Sequence, residues 1–234
     1  MNTKKPHSIY GATDPRDLPA YGIVEAAHYL GIPKSTLRAW VLGQRNRAGR
    51  DFRPVIEPAD KDTRLLSFFN LIEAHVLDAL RRKHEIPLQK VRPALEYLRK
   101  LDTDKHPLAS NQFATSGLEL FVEKYGALVN LSKQGQMEMK EFLIAYLKRV
   151  ERDSSGLPIR LYPYTRKKAL DEPRAIVIDP LIAFGRPIVS GTGVPTAVIA
   201  DRYKAGESLS DLAADYEVQP WQVEEAIRCE FQAA

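Results

Sequence analysis

Residues 21–41, YGIVEAAHYLGIPKSTLRAWV, constrain this chain more than any other stretch. Ile23, Ala26, Ala27 and Leu30 recur at the spacing of one helix face. Gly31 follows, and glycine enters a left-handed turn without steric penalty. Ile32 can pack back into the corner, and Pro33 opens a second helix where its missing N–H does no harm. In that helix Leu37, Trp40 and Val41 fall inward, while Lys34, Ser35, Thr36 and Arg38 fall outward near its start. The result is a helix-turn-helix with a polar, basic leading edge, the arrangement that puts side chains against base edges in the DNA major groove. The alternative is a plain two-helix corner in an all-α core.

The totals suit an ordinary globular chain: 234 residues, 44% hydrophobic and 27% charged, are enough for two modest domains with a real core. The single cysteine, Cys229, excludes an internal disulfide and fits a reducing compartment. Apolar runs are too short for a membrane span, and the first residues lack the apolar middle of a signal peptide, so a cytoplasmic location without membrane contact is expected. Charge is sorted along the chain. Residues 171–234 hold eleven acids and five bases, net −6, so the first 170 residues carry +10 of the overall +4. Attraction to phosphates belongs to the front of the molecule.

Residues 1–20 hold three prolines and read as an extended arm, with Lys4, Lys5 and Arg16 as possible phosphate contacts or plain solvated charges. After the opening motif, Arg45, Arg47, Arg50 and Arg53 lie in a loop bearing glycine and asparagine. The short runs 53–56 and 63–67 predict a hairpin across the turn-prone residues 58–62, a wing carrying Lys61 and Arg64. Residues 68–83 predict an amphipathic helix capped by Ser67, with Arg81, Arg82 and Lys83 suited to its negative end. A further helix opens at 86–88 and runs to about residue 100.

This order resembles the MerR-type winged helix. The resemblance rests on Tyr21, Glu25-Ala26-Ala27, Leu30-Gly31-Ile32, Ser35-Thr36-Leu37-Arg38, Trp40 and the 65–68 entry into the next helix. MerR-type dimers use a long C-terminal helix, whereas residues 102–107 here end the helical pattern. Residues 112–115, 119–122 and 128–131 alternate as short strands broken by Gly117, Gly126 and Gly135. Residues 137–150 predict an amphipathic helix and 159–162 a returning strand, with a linker near 164–173.

The last segment predicts strands at 176–178 and 187–190 and a turn at 191–195. A helix capped by Thr196 and ended by Gly206 follows, then a helix capped by Ser208 with Asp211, and a last helix from Pro220. It repeats the opening motif at an offset of 186: Ile23 answers to Leu209, Ala27 to Ala213, Leu30 to Tyr216, Ile32 to Val218, Leu37 to Val223 and Val41 to Ile227. The second copy offers Gln222, Glu224, Glu225 and Arg228 on its final helix, and acids there oppose a phosphate backbone; protein contact or dimer formation is expected instead.

The run Asp179-Pro180, Gly185-Arg186-Pro187-Ile188-Val189-Ser190-Gly191-Thr192-Gly193-Val194-Pro195 and Ala205-Gly206-Glu207-Ser208 resembles the domain-of-unknown-function-433 family, with Gly193 where the usual pattern has arginine. Joined to a MerR-like front half, it resembles the larger VapB-type antitoxins. That resemblance implies operator DNA and a PIN-like ribonuclease toxin as partners and autoregulation of the operon. A homodimer is expected as well.

The fold class expected is α+β, mainly α. Its divisions are an arm (1–20), a winged helix-turn-helix domain (21–101), a central mixed region with short antiparallel strands (102–170) and a C-terminal helix-turn-helix domain (171–234). DNA contacts fall to Lys34, Ser35, Thr36, Arg38, Arg45, Arg47, Arg50, Arg53, Lys61 and Arg64. Toxin or dimer contacts fall to Arg186, Trp221, Gln222, Glu224, Glu225 and Arg228. Gly191-Thr192-Gly193 lacks the Gly-Lys-Ser/Thr ending of a phosphate loop, the five histidines show no metal-ligand spacing, and Cys229 has no histidine beside it. No enzymatic activity, cofactor or metal is expected. Two other readings stay open: a one-component regulator sensing a small ligand through residues 113–162, and a protein-interaction module that no longer binds DNA.

Overall fold

The computed structural model describes residues 13–45, 51–84, 92–93, 95–97, 105–166 and 173–231. Within them the chain is α+β and mainly helical, with a helix-turn-helix at its front. Helix α1 (Ile23–Tyr29) begins where the Glu25 carboxylate accepts the Gly22 N–H at 3.3 Å. It ends at Gly31, whose φ of 61° reverses the chain, and the Ile32 N–H returns to the Ala27 carbonyl at 2.9 Å. Helix α2 (Lys34–Leu42) buries Leu37, Trp40 and Val41.

The wing is not where the sequence placed it. Strands β1 (Gln44–Arg45) and β2 (Asp51–Phe52) form the antiparallel pair directly after α2. The runs 53–56 and 63–67 do not pair. The Val55 and Ile56 N–H groups both donate to the Trp40 carbonyl, at 2.8 and 3.1 Å, and so satisfy the C-terminal end of α2. Leu66 instead pairs with Tyr21, their N–H and C=O groups exchanging bonds of 3.0 and 2.8 Å, which ties the entry of α1 to that of the next helix.

That helix, α3 (Phe68–His84), is capped by Ser67, whose hydroxyl accepts the Asn70 N–H at 3.3 Å while Asn70 Oδ1 accepts the Ser67 N–H at 3.0 Å. The amphipathic expectation is corrected: every residue from 70 to 79 is buried, because packed elements also cover its polar side. The polar residues there find partners. Glu73 meets the His106 ring at 3.0 Å, and His75 Nε2 lies 3.1 Å from the Tyr146 carbonyl. The side chains of Arg81, Arg82 and Lys83 and most of the helix expected over 86–100 lie outside the described residues; 92–93 and 95–97 are helical.

The central region corrects the sequence reading most. Residues 112–115, 119–122 and 128–131 form no strands. A π-helical turn (Phe113–Gly117) leads directly into α4 (Leu118–Val129), which Asn130 closes with a φ of 59°. Helix α5 (Lys133–Leu147) is capped by Ser132 and covers α3, and strands β3 (Val150–Arg152) and β4 (Pro158–Leu161) form an antiparallel pair. One apolar core runs from Tyr21 through α3, α4 and α5 to Leu161 and Ile178.

The C-terminal segment builds β5 (Ile176–Val177) antiparallel to β6 (Ile188–Val189), then α6 (Thr196–Lys204), α7 (Leu209–Asp215) and α8 (Pro220–Phe231) around Val189, Ile199, Leu212, Val223 and Cys229. Thr196 does not cap α6 but stands inside it; its buried hydroxyl reaches the Pro187 carbonyl at 3.2 Å and the Glu230 carboxylate. Ser208 caps α7 as expected. The internal repeat is a repeat of backbone geometry: α7 and α8 begin 186 residues after α1 and α2. Glu217 takes the place of Gly31 with a φ of 54°, and the Val218 N–H donates to the Ala213 carbonyl at 3.0 Å as Ile32 does to Ala27.

Candidate nucleic-acid interface

Three inward anchors on α2 fix which way its leading edge faces. Leu37, Trp40 and Val41 lock the helix against the core, so Lys34, Ser35 and Arg38 stand exposed, with Thr36 half-buried between them. Pro33 precedes the helix without a side-chain cap. The exposed start of α2 is the positive end of its helix dipole, where an anion is favoured.

Arg53, Lys61 and Arg64 come together at the other, C-terminal end of α2. With Val41, Leu42, Pro54 and Ile56 they line a hollow of about 440 Å³ between the end of α2 and the loop that follows the hairpin. Arg53 and Arg64 are exposed, and Arg64 has a left-handed backbone with φ 60°. Lys61 is bound to Glu57 at 2.5 Å. Both partners are exposed, so this pair is weak and can exchange for a phosphate. Arg45 sits in β1 with its side chain outside the described residues, as are Arg47, Arg50, Lys4 and Lys5. Arg16 is not a free phosphate contact: its guanidinium is held by Asp14 at 2.7 Å and lies over the Phe69 ring.

The second helix-turn-helix presents a different face. Position 224 corresponds to 38 in the repeat, so a glutamate stands where the first copy has an arginine. Trp221, Glu224 and Arg228 are exposed, as is Arg186, and Gln222 is half-buried, its amide reaching the Gln219 N–H at 3.0 Å and the Ser190 carbonyl at 3.4 Å. Glu225 is a correction. It is only 1% exposed and accepts from Thr165 Oγ1 and the Arg166 guanidinium, so it faces inward and anchors the preceding segment. Burial opposes its charge, yet Arg166 and Thr165 hold the carboxyl below the usual carboxylate range.

The two copies touch. His28 on α1 lies 3.8 Å from the Glu230 carboxylate on α8, and the Tyr21 hydroxyl donates to the Gly185 carbonyl at 3.1 Å. The sequence reading missed this seam, and also Leu181 and Phe184, which stand exposed on the turn ending at Gly185. Burial pushes the Cys229 thiol up to about 12, which leaves it a poor nucleophile. Among the described residues no group of three or more His, Cys, Asp or Glu could hold a metal, and no helix is long and apolar enough to cross a membrane.

Comparison with known proteins finds two family matches along the chain. Residues 19–95 match the family described as "Putative DNA-binding HTH domain", and residues 176–228 match "Protein of unknown function (DUF433)". The crystal structure of Rv2018 from Mycobacterium tuberculosis superposes with a TM-score of 0.67 at 25% identity, covering 90% of this chain and 98% of that one. Uncharacterized protein Rv2308 of the same organism is 27% identical over 90% of each chain. The M. tuberculosis protein named "Putative antitoxin VapB45" is 31% identical over 90% of this chain and 93% of its own length. With that identity over nearly the whole of both chains, the chain belongs to the VapB45 family.

Proposed function

We propose that the chain is a DNA-binding antitoxin that represses its own operon as a homodimer and neutralises a PIN-like ribonuclease. The observation that carries the DNA half is the exposed polar, cationic edge of α2, with Lys34, Ser35 and Arg38 held outward by three buried anchors, and Arg53, Lys61 and Arg64 gathered at the far end of the same helix. Lys34, Ser35, Thr36 and Arg38 meet base edges, and the other bases, with Arg45, Arg47 and Arg50, meet phosphates. With about four phosphates neutralised per protomer, log affinity falls against log salt with a slope of roughly −7 for the dimer. Replacing Arg38 by alanine costs about 1–3 kcal/mol of binding and relaxes sequence preference. Fluorescence anisotropy on DNA from upstream of the gene, across a salt series, checks both; unchanged binding by Arg38→Ala removes the assignment.

The toxin half draws support from membership of a family that includes a protein named as an antitoxin, and from the acidity of residues 171–234. A surface that grips RNA is basic, and opposite charge speeds association. Arg186, Trp221, Gln222, Glu224 and Arg228 form the contact set for toxin or dimer. Retention of the toxin by a chain ending at Arg174 overturns that assignment. The ligand-sensing alternative takes no support from the central aromatics: Phe113, Phe121 and Tyr125 are fully buried and pack on one another, ring centroids 5.7 and 5.5 Å apart.

A further inference from the structure

Phe184 is the most exposed large apolar residue among those described, at 85%, with Leu181 beside it at 67%. It is not a frayed loop tip. Ala183, Phe184 and Gly185 are consecutive left-handed residues with φ of 48°, 56° and 74°, a conformation two of them adopt against their own sterics. The turn is braced at each step. Asp179 Oδ1 accepts the Leu181 N–H at 2.9 Å, the Gly185 N–H returns to the Ile182 carbonyl at 2.9 Å, and the Arg186 N–H returns to the Ala183 carbonyl at 3.1 Å. Gly185 is pressed against Tyr21, just before α1: a Cβ there would lie 2.0 Å from the Tyr21 hydroxyl oxygen. Strain of this kind persists only where the surroundings enforce it, and here they enforce an aromatic side chain pointing into water. A rigid, pre-positioned aromatic of that sort is what an interface anchor needs.

The same chain carries a receptor of matching chemistry. Between α6, α7 and α8 lies an open groove of about 430 Å³ walled by Tyr203, Leu209, Ile227 and Phe231, with Glu224 on its rim. The anchor is apolar and flanked by the exposed cation Arg186; the groove is apolar and flanked by an exposed carboxylate. The two cations at the groove are each offset by a carboxylate: Arg228 is 3.6 Å from the buried Glu225, and Lys204, which lies over the Phe231 ring, is 3.4 Å from Asp201. We infer that Phe184 of one protomer seats in the α6–α8 groove of a second copy and that Arg186 meets the partner's Glu224, reciprocally across a two-fold axis. Each chain owns one anchor and one groove, so a pair related by a two-fold axis satisfies both, whereas a head-to-tail contact would leave open chains that sediment faster than a dimer. This rests on the homodimer in the proposed function and names its surface.

Sedimentation velocity on the full chain, without DNA or toxin, tests it with four variants. Phe184→Gly removes the anchor and suits the left-handed backbone, so it shifts the protein to monomer, weakening the dimer by about tenfold or more, while the melting temperature of the monomer holds or rises. Arg186→Glu and Glu224→Arg each weaken the dimer, and the double exchange restores it. A Phe184→Gly protein that stays dimeric, or a double exchange no better than the singles, overturns the surface. A dimer that survives Phe184→Gly while capture of the purified toxin is lost also overturns it and gives the anchor to the toxin. A wild-type monomer removes the homodimer itself, and a dimer that fails to bind DNA removes the operator reading and leaves this surface standing.

Discussion

His106 is buried between two carboxylates, its Nδ1 3.0 Å from Glu73 and its Nε2 3.4 Å from Asp17, with the ring stacked on Phe69. Burial opposes the charged imidazolium, but the bond and charge of Glu73, with Asp17, outweigh it, and the ring titrates above its ordinary value. The sign follows from linkage. A histidine whose folded value is raised binds its proton more tightly when folded, so its stabilisation is complete below the ordinary histidine range. It is lost as pH rises through the folded value. The melting-temperature gap between wild type and His106→Gln is therefore wider at about pH 5.5 than at about pH 8.5. Scanning calorimetry of both proteins at the two pH values measures it, and an equal gap shows that the pair contributes no proton linkage. No local signal in the sequence marked His106: its partners are 33 and 89 residues away.

At the scale of elements, the two helix-turn-helix turns make a controlled pair. Gly31 and Glu217 hold the same place in the repeat with φ of 61° and 54°. A left-handed residue with a Cβ costs about 1–2 kcal/mol, and glycine returns part of that through unfolded-chain entropy. Gly31→Ala then lowers stability by about 1 kcal/mol, while Glu217→Gly raises it by about 0.5–1 kcal/mol. Urea denaturation resolves the two signs, and a destabilised Glu217→Gly protein shows that the glutamate side chain stabilises its turn. These helices were legible because their apolar spacing, caps and turn agree locally, as at Ser67, Ser208 and Gly31. The central helices were not, and glycine was the reason. Gly126 breaks nothing: a Cβ there would fall 2.6 Å from the Gln136 side chain, so its smallness brings α4 and α5 together. Gly135 sits in the first turn of α5 with its N–H held by Ser132. The wing was misplaced because 53–56 has strand-like residues whose N–H groups serve α2 instead, a long-range use that composition does not reveal. The outward placement of Lys34, Ser35 and Arg38 on α2 was readable from periodicity alone. Phe184 was not, since its importance lies in backbone angles and exposure.

For the whole molecule, the question is whether its two helix-turn-helix units behave as one body or two. Residues 175–178 form a segment that no single half owns: Ala175 and Ile176 belong to the C-terminal core, while Ile178 belongs to the core that begins at Tyr21. Ile178 and Leu161 exchange backbone bonds of 2.8 and 3.0 Å, and Arg160 reaches the Asp179 carboxylate at 2.9 Å. The Tyr21–Gly185 bond and the His28–Glu230 pair close the other side. A shared segment is a stronger tie than the surface pairs beside it, because opening it exposes Ile178 from a packed core, and unfolding of either half then strips apolar cover from the other. The chain accordingly melts in a single transition whose calorimetric and van't Hoff enthalpies agree. Asp179→Ala tests the seam where it is most constrained. It leaves the Leu181 N–H without its acceptor and Arg160 with the Glu151 carboxylate alone, costs about 1–3 kcal/mol, and lowers that one transition without splitting it. Two resolved transitions in the wild-type protein would mean that the halves unfold separately. A partner bound to the acidic copy would then have no mechanical route to the basic one. A single transition makes that route available, through α8, Glu230 and His28 to the helix that precedes the exposed cationic edge of α2.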